Sequence, residues 1–277
     1  MGGQIIQALS KLRPALEADP ETLQAKIQLA CAKNLWYTPE SCEQAVSYWK
    51  TALEPKLLAD FVHPYSAQEE PKQIGIVMAG NIPLVGMHDL LCCLLSGNKA
   101  LVKLSSDDSV LMKYFIELMK KQDVLSDRIE LTERIPTKAE GVIATGSNNS
   151  FRYFQHYFKE TPNVLRKNRK SFAVLDGTET KEELSAMGTD IFHYFGLGCR
   201  NVSLVFVPKS MDVTLLIDAL EPFKSVGQHN RYANNYTYHK ALFLMNQQEH
   251  LDNGFLLFKE SRELHAPLGC LFYSQYE

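Results

Sequence analysis

The chain has 277 residues, a formal net charge of −3, and a composition of 45% hydrophobic and 22% charged residues. This length allows one large domain or two lobes. The near-neutral charge argues against binding of nucleic acid or other polyanions through a general basic surface. Apolar runs are short, so we predict no membrane span. The N-terminus has no basic segment followed by an apolar one, so we predict no secretory signal.

The cysteine content indicates a reducing environment. Six cysteines occur at irregular spacing and form no C-x-x-C pair. This pattern fits neither a disulfide framework nor a zinc site, so we predict no metal centre. A chain of this length can fold without disulfides, and a cytoplasmic location is expected.

The predicted elements begin with helices up to about residue 61, one of which starts at Thr38-Pro39. Further along, we predict strands at 74–79, 100–104, 141–145, 171–175 and 202–207, and helices at 83–95, 110–119 and 149–158. Short apolar strands that alternate with helices are typical of a parallel α/β sheet.

Three loops follow strands of this predicted sheet, at Gly80-Asn81, around Lys103, and at Gly146-Ser147. Ligands of parallel sheets bind beyond the carboxyl ends of the strands. Each loop alone is explained as an ordinary turn, but the three together favour a nucleotide crevice. The Gly-x-Gly-x-x-Gly and P-loop patterns are absent from the sequence, so we expect a nucleotide site of another type.

Cys199 is the candidate nucleophile. It follows Phe195-Gly196-Leu197-Gly198 and precedes Arg200 and a predicted apolar strand. Glycines allow the backbone to approach a substrate closely, and an adjacent cation favours the reactive thiolate. On this local pattern alone, a small buried structural cysteine is equally open.

Five segments, read in order, resemble motifs of the aldehyde dehydrogenase superfamily. Gly80-Asn81-Ile82-Pro83 resembles Trp-Asn-Phe-Pro, and 96–105 resembles Gly-Asn-x-x-Val-x-Lys-Pro-Ser. Thr145-Gly146-Ser147 matches Thr-Gly-Ser, Gly196-Leu197-Gly198-Cys199 matches Gly-Gln-x-Cys, and 263–268 resembles Glu-x-Phe-Gly-Pro-Val. The stretch from Gly196 to Ser203 is most similar to the long-chain acyl-CoA reductases of the bacterial bioluminescence type.

The resemblance implies an α/β fold with a helical N-terminus. A parallel-sheet cofactor-binding domain would occupy 1–175, and a smaller α/β catalytic domain carrying the cysteine would occupy 176–277. It also implies roles for individual residues. Cys199 would be the nucleophile, and the Asn81 amide would help to form the oxyanion hole. The residues implied to bind a nicotinamide cofactor, NADPH or NADH, are Lys103, Ser105, Gly146, Ser147 and Glu263.

One departure from the family points to a subgroup. Arg166-Lys167-Asn168-Arg169-Lys170-Ser171 stands where the family has Glu-Leu-Gly-Gly-Lys-Ser. The first Glu of that motif activates water to hydrolyse the thioacyl enzyme, and Arg166 replaces it. The resemblance therefore implies NAD(P)H-dependent reduction of acyl-CoA, or of another acyl thioester, to the aldehyde. The charges of 166–170 leave two interpretations open: a solvated turn, or a contact for the phosphates of CoA or NADPH.

Two other functions also stay open. One is an acylating aldehyde dehydrogenase for another carbonyl or acyl-phosphate substrate, and the other is a catalytically silent acyl-binding subunit of a complex. The chain ends at Glu277, soon after the Glu263 motif, whereas relatives continue into a strand used in oligomerisation. A shortened chain is therefore considered. The sequence leaves open the acyl chain length and whether the protein forms a homo-oligomer or works with a partner protein that transfers the acyl group.

Overall fold

The computed structural model describes residues 2–65, 70–134 and 136–277. The chain divides into two compact units, the first ending at Asn168 and the second running from Arg169 to Glu277. The α-helices are α1 (Gly2–Ser10), α2 (Leu12–Ala18), α3 (Pro20–Lys33), α4 (Pro39–Ala52), α5 (Pro55–Val62), α6 (Met87–Leu95), α7 (Ser109–Lys120), α8 (Asp123–Ser126), α9 (Asn148–Tyr157), α10 (Lys181–Phe192), α11 (Val213–Ala219) and α12 (Asn230–Met245). The strands are β1 (Gln73–Val77), β2 (Lys99–Lys103), β3 (Ile129–Leu131), β4 (Gly141–Thr145), β5 (Asn163–Arg166), β6 (Ser171–Val174), β7 (Val202–Pro208), β8 (Leu251–Asp252), β9 (Leu257–Glu260) and β10 (Cys270–Tyr276).

Helices α1 to α5 precede the first strand, which confirms the predicted helical N-terminus. Their starts follow from local side-chain chemistry. Asp19 caps α3 by accepting a hydrogen bond from the Thr22 N–H at 3.0 Å. At α4, Thr38 and Ser41 form a reciprocal capping box, with Pro39 at the first helical position, where no N–H is needed.

The first unit contains a five-stranded parallel sheet in the order β3-β2-β1-β4-β5. The chain builds outward from β1 through β2 to β3, and then crosses back to the other side of β1. The strand order therefore reverses between β1 and β4, which makes this the topological switch point. Ile76, Val102 and Ala144 on the inner strands are fully buried. Burial on both sheet faces explains the short continuous apolar runs in the sequence.

One predicted helix begins later than expected, and one predicted strand belongs to another sheet. The helix predicted at 83–95 begins only at Met87, because Leu84 takes a left-handed φ of 57° that a helix cannot include. The strand predicted at 171–175 does not continue the first sheet, because β6 pairs with β7 in the second unit. The chain passes from the first unit to the second between Asn168 and Arg169, so β6 belongs to the second unit.

The second unit contains its own sheet, in the order β6-β7-β10-β9-β8. All neighbours are parallel except β8, which runs antiparallel to β9. Its core includes a cluster of six buried residues, Leu204, Phe243, Leu257, Ala266, Cys270 and Phe272. Within the described ranges, no helix has both the length and the apolar character that crossing a membrane requires.

Candidate active site

Cys199 lies on the turn that leads into β7, and its side chain is partly exposed. The backbone before it is unusual. Tyr194, Phe195 and Gly196 have φ angles of 49°, 58° and 76°, so three consecutive residues are left-handed. Glycine adopts this conformation easily, whereas tyrosine and phenylalanine do so only when the surroundings hold them. The approach to Cys199 is therefore a strained segment that depends on specific contacts.

Asn201 provides one set of these contacts. Its buried side-chain Nδ2 donates to the carbonyl oxygens of Asp190, Ile191 and His193, at 2.8, 3.3 and 3.1 Å. A Cβ at Gly198 would lie 2.6 Å from Asn201 Oδ1, so only glycine allows the amide this close to the turn. Asn201 thus joins the end of α10 to the residue that precedes Cys199.

Lys170 provides the second set. Its Nζ donates to the carbonyl oxygen of Gly196 and, at 3.2 Å, to that of Gly198. Burial lowers the pKa of Lys170, and attraction to Cys199 opposes that shift. The sequence pointed to Arg200 as the cation near Cys199, but the Arg200 side chain is exposed. Lys170 is a functional candidate that the sequence analysis missed as a neighbour of the thiol.

The loop that contains Glu263 lies in the same unit. Ser203 Oγ donates to the Leu264 carbonyl at 2.5 Å, which ties the start of β7 to this loop. Glu263 itself is exposed, and its N–H donates to Ser261 Oγ at 3.2 Å. A small cavity separates the loop from the cysteine turn; its lining includes Lys170, Phe195, Gly196, Ala266, Pro267 and Leu268. The structure therefore brings the predicted Glu263 and Cys199 motifs together within the second unit.

The other predicted cofactor residues lie at the carboxyl edge of the first sheet. Val77 pairs with Lys103 on one side and with Ala144 on the other, so β1, β2 and β4 end together. The Lys103 side chain forms no hydrogen bond or ion pair with any residue in the described ranges. A cation in this position is available to a ligand phosphate or ribose.

The two predicted serines already have local roles. Ser105 Oγ accepts a hydrogen bond from the Asp107 N–H at 3.3 Å, and Ser147 Oγ accepts one from the Ser150 N–H at 3.2 Å, as the cap of α9. Packing also favours glycine at position 146, because a Cβ there would lie 2.8 Å from the Cβ of Ser150. These contacts explain the three residues structurally and leave their cofactor roles as predictions.

The edge of the first sheet nevertheless fits a dinucleotide cofactor. The strand order reverses between β1 and β4, and this reversal places the Gly80 and Gly146 loops on either side of the switch point. Dinucleotides bind at this position in doubly wound sheets. The N-terminus of α9 offers backbone N–H groups to an anion there, and Lys103 adds a positive charge.

Asn81 lies in the first unit, on a loop held at both ends. The Tyr37 hydroxyl donates to the Gly80 carbonyl at 3.0 Å, and the Leu84 N–H donates to Asp108 Oδ2 at 2.7 Å. Burial raises the pKa of Asp108 well above its ordinary value, and no described residue bonds its other carboxyl oxygen. The loop is therefore fixed by two buried groups that the sequence analysis did not single out.

Arg166, at the position of the family's hydrolytic glutamate, is the last residue of β5 and is engaged elsewhere. Its Nη1 lies 2.6 and 2.7 Å from the two carboxylate oxygens of Asp89 on α6. Burial opposes ionisation of Asp89, but hydrogen bonds from His88 and Arg166 outweigh burial and lower the pKa of Asp89. The Asp89 side chain is 10% exposed and that of Arg166 is 28% exposed, so the pair is largely shielded from water.

The basic run 166–170 is thus not one solvated turn. Lys167, Asn168 and Arg169 are exposed, as that interpretation predicted. It is wrong for Arg166, which pairs with a buried carboxylate, and for Lys170, which bonds the cysteine turn. Both ends of the run are committed to internal partners, so Lys167 and Arg169 are the cations of the run whose exposed side chains fit a phosphate contact. In the described ranges, no cluster of His, Cys, Asp and Glu could hold a metal ion.

Comparison with known sequences identifies a family and two distant relatives. The family model described as acyl-CoA reductase (LuxC) matches residues 62–216, which is more than half of the chain. The long-chain acyl-protein thioester reductase of Aliivibrio fischeri is 26% identical over 218 residues, covering 70% of this chain and 44% of that protein. Long-chain acyl-protein thioester reductase 2 of Photobacterium leiognathi is 23% identical over 176 residues, covering 56% of this chain and 37% of that protein. The chain spans less than half the length of these curated relatives.

Solved structures establish the fold. An aldehyde dehydrogenase from Bacillus cereus in an NAD+ complex matches with a TM-score of 0.74 at 13% identity, covering 100% of this chain and 67% of that one. An NAD-dependent aldehyde dehydrogenase from Sinorhizobium meliloti matches with a TM-score of 0.76 at 13% identity, covering 100% and 66%. The fold is that of the aldehyde dehydrogenases, as predicted. With the family model covering both the Asn81 loop and the Cys199 turn, the chain belongs to the acyl-CoA reductase (LuxC) family.

Proposed function

We propose that this chain reduces an acyl-CoA, or another acyl thioester, to the aldehyde through a thioester on Cys199, with NADPH or NADH as the reductant. The observation that carries the proposal is the cysteine turn. Its thiol is partly exposed, while Lys170 bonds the Gly198 carbonyl directly before it and Asn201 bonds the carbonyls at the end of α10. A nucleophile that must be reached by a substrate and kept in one place has these properties.

In the first half of the proposed reaction, the Cys199 sulfur attacks the thioester carbonyl carbon. The bond to the original thiol breaks, that thiol leaves with a proton, and the acyl group becomes a thioester of Cys199. No acceptor for the Cys199 N–H is found in the described part of the chain, so this N–H is available to the developing oxyanion. Loss of one such donor typically costs roughly 10²–10³ in rate. The Asn81 amide is proposed as the second donor.

In the second half, the acyl group on Cys199 is reduced to the aldehyde, the bond from the acyl carbon to sulfur breaks, and the released Cys199 thiolate takes a proton from water to restore the thiol. When bound, a nicotinamide cofactor supplies the hydride for this reduction. The residues proposed to hold it are Lys103, Ser105, Gly146 and Ser147 in the first unit and Glu263 in the second. Lys103 is the best supported of these, because its charge has no partner within the described residues.

Arg166 favours reduction over hydrolysis in this proposal. A guanidinium is protonated at any physiological pH and cannot take a proton from water. Its Nη1 is moreover bonded to both oxygens of Asp89. Arg166 therefore cannot activate water as the glutamate of hydrolytic relatives does. We expect the thioester on Cys199 to persist until it is reduced.

The decisive experiment is intact-mass measurement after incubation with a long-chain acyl-CoA. We expect one acyl mass on the native protein and none on Cys199→Ala. Cys92→Ala is the matched control, since Cys92 is also a partly exposed thiol, and it should acylate normally. Acylation of Cys199→Ala would exclude the proposed nucleophile.

A second assay follows NADPH or NADH oxidation with the same acyl-CoA and identifies the alternatives. An acyl enzyme that never oxidises either nucleotide would indicate a silent acyl-binding subunit. Acylation by an acyl phosphate but not by acyl-CoA would indicate another acylating dehydrogenase. Because the two relatives are named acyl-protein thioester reductases, a protein-bound acyl thioester is the second acyl donor to test. Gel filtration of the acylated protein tests for a homo-oligomer.

A further inference from the structure

Lys170 has no chemical step in the proposed reaction. It directly precedes β6, and it contacts the cysteine turn from a different part of the second unit. Its Nζ donates to two carbonyl oxygens, those of Gly196 and Gly198, which lie on either side of Leu197. One ammonium group thus fixes two peptide planes immediately before Cys199.

These bonds determine how the turn is oriented. A peptide plane whose carbonyl oxygen faces Lys170 directs its N–H the opposite way, because the two groups are antiparallel across a trans peptide. The Gly198 carbonyl belongs to the peptide whose N–H is that of Cys199. Holding this oxygen on the Lys170 side therefore keeps the Cys199 N–H pointing away from Lys170, where an oxyanion could accept a hydrogen bond.

The surroundings of Lys170 leave its charge unneutralised. No carboxylate in the described ranges forms an ion pair with it. The other titratable groups that line the adjoining cavity are Tyr232 and Cys270, and burial raises the pKa of both, in the case of Cys270 to about 12. Both are therefore neutral near pH 7. Ionisable groups on the turn and at the end of α10 are Asp190, His193, Tyr194 and Arg200, and the ring centroid of His229 lies 4.2 Å from that of Phe195 on the turn.

We propose that Lys170 is a positioning residue for Cys199, which holds the peptide before the thiol in its working orientation and supplies a partly buried positive charge beside the turn. The inference rests on the proposed role of Cys199 as the nucleophile. It extends that role by naming a residue of the second unit that holds the nucleophile in position. Burial lowers the pKa of Lys170 and attraction to Cys199 opposes that shift, which agrees with electrostatic coupling between the two groups.

The test is the pH profile of Cys199 alkylation by iodoacetamide, with the modified peptide quantified by mass spectrometry so that the other five cysteines do not interfere. Three variants separate charge from hydrogen bonding. Lys170→Arg keeps the charge, Lys170→Gln keeps one donor group without charge, and Lys170→Met keeps neither. Arg200→Gln is the matched control, because it removes the adjacent but exposed cation.

We expect Lys170→Gln and Lys170→Met to move the alkylation midpoint upward by about one pH unit, which is about tenfold slower alkylation at a pH below the midpoint. Lys170→Arg should keep most of the native profile, and Arg200→Gln should leave it unchanged. Thermal unfolding of each variant checks the fold. If Lys170→Met does not fold, the comparison of Lys170→Gln with Lys170→Arg decides the question.

An unchanged midpoint in Lys170→Gln, or an equal shift in Arg200→Gln, would overturn the proposal even where thermal stability falls. The assay uses no acyl-CoA, so its outcome is distinct from that of the proposed function. A midpoint that depends on Lys170 in a protein that never acquires an acyl group would refute the reductase but support the positioning role. Acylation of Cys199 together with an alkylation midpoint that does not depend on Lys170 would support the reductase and refute the positioning role.

Discussion

Replacement of Arg166 by glutamine should destabilise the first unit far more than loss of a surface charge would. The change removes the guanidinium that lies 2.6 and 2.7 Å from the Asp89 oxygens and leaves that buried carboxylate with His88, 3.6 Å away and 57% exposed, as its remaining cation. Removal of one partner of a buried ion pair typically costs about 3–5 kcal/mol. Because the side chains of Arg166 and Asp89 are 28% and 10% exposed, we expect a value near the lower end.

That cost translates into a measurable shift of the thermal midpoint. For a unit of this size, each kcal/mol lowers the midpoint by roughly 2–4 °C, so a loss of about 3 kcal/mol predicts a fall of about 6–12 °C. Circular dichroism or scanning calorimetry at pH 7 would measure it. Asp89→Asn and the Arg166→Gln/Asp89→Asn double variant complete a thermodynamic cycle, in which the double variant should lose less than the sum of the single changes.

The pH dependence gives an independent check. Burial opposes ionisation of Asp89, but its partners lower its pKa below the ordinary value near 3.8. A carboxyl group with a lowered pKa in the folded state contributes stability above its unfolded pKa and loses it as pH falls. The difference between the native protein and Arg166→Gln should therefore shrink as the pH is lowered through 4. A midpoint change under about 1 °C, or additive single changes, would refute the ion-pair argument.

Three further changes test the loops that carry the proposed site. Gly198→Ala places a Cβ 2.6 Å from Asn201 Oδ1, so we expect a loss of about 1–3 kcal/mol in urea unfolding together with slower alkylation of Cys199. Tyr37→Phe removes the hydrogen bond to the Gly80 carbonyl and should cost about 0.5–1.5 kcal/mol, measured in the same way. Burial raises the pKa of Asp108, so the folded state binds a proton more tightly and stability should fall as pH rises above 3.8. Asp108→Asn should lose that slope when unfolding is compared at pH 5 and 8; an equal slope in both proteins would contradict this.

Burial alone does not decide which strands the sequence predicted: β6 was predicted although half of its side chains are exposed, and β10 was missed although it is largely buried. β1, β2, β4 and β7 are continuous apolar runs, because both faces of each strand are covered. β3 and β5 were not predicted. They lie at the two edges of the first sheet, where most of their side chains are exposed and no apolar run distinguishes them from loops. The sheet to which β6 belongs depends on pairing between residues far apart in the chain, which local pattern cannot reveal.

The candidate site was also predicted only in part. Cys199 was identified because glycines, a thiol and an apolar strand occur together in the sequence, and five ordered motifs supported it. Lys170 was grouped with the basic run, because charges that are close in sequence suggest one shared function. In the folded chain, Lys170 bonds the Gly196 and Gly198 carbonyls, which come after β6 and α10 in the sequence. Adjacency in the sequence favoured Arg200, whereas folding places Lys170 against the turn.

The geometry at Arg166 also predicts what a lysine would do there. Arginine is usually preferred for carboxylates because two guanidinium nitrogens match two oxygens. Here a single nitrogen, Nη1, contacts both oxygens of Asp89, so the fork is not used and the contact is that of a point charge. An ammonium group could make the same contact if the shorter lysine side chain reaches it. Arg166→Lys should therefore lose less than half the stability that Arg166→Gln loses, by thermal unfolding at pH 7. If both variants lose the same amount, the guanidinium plane, and not its charge alone, holds the buried Asp89.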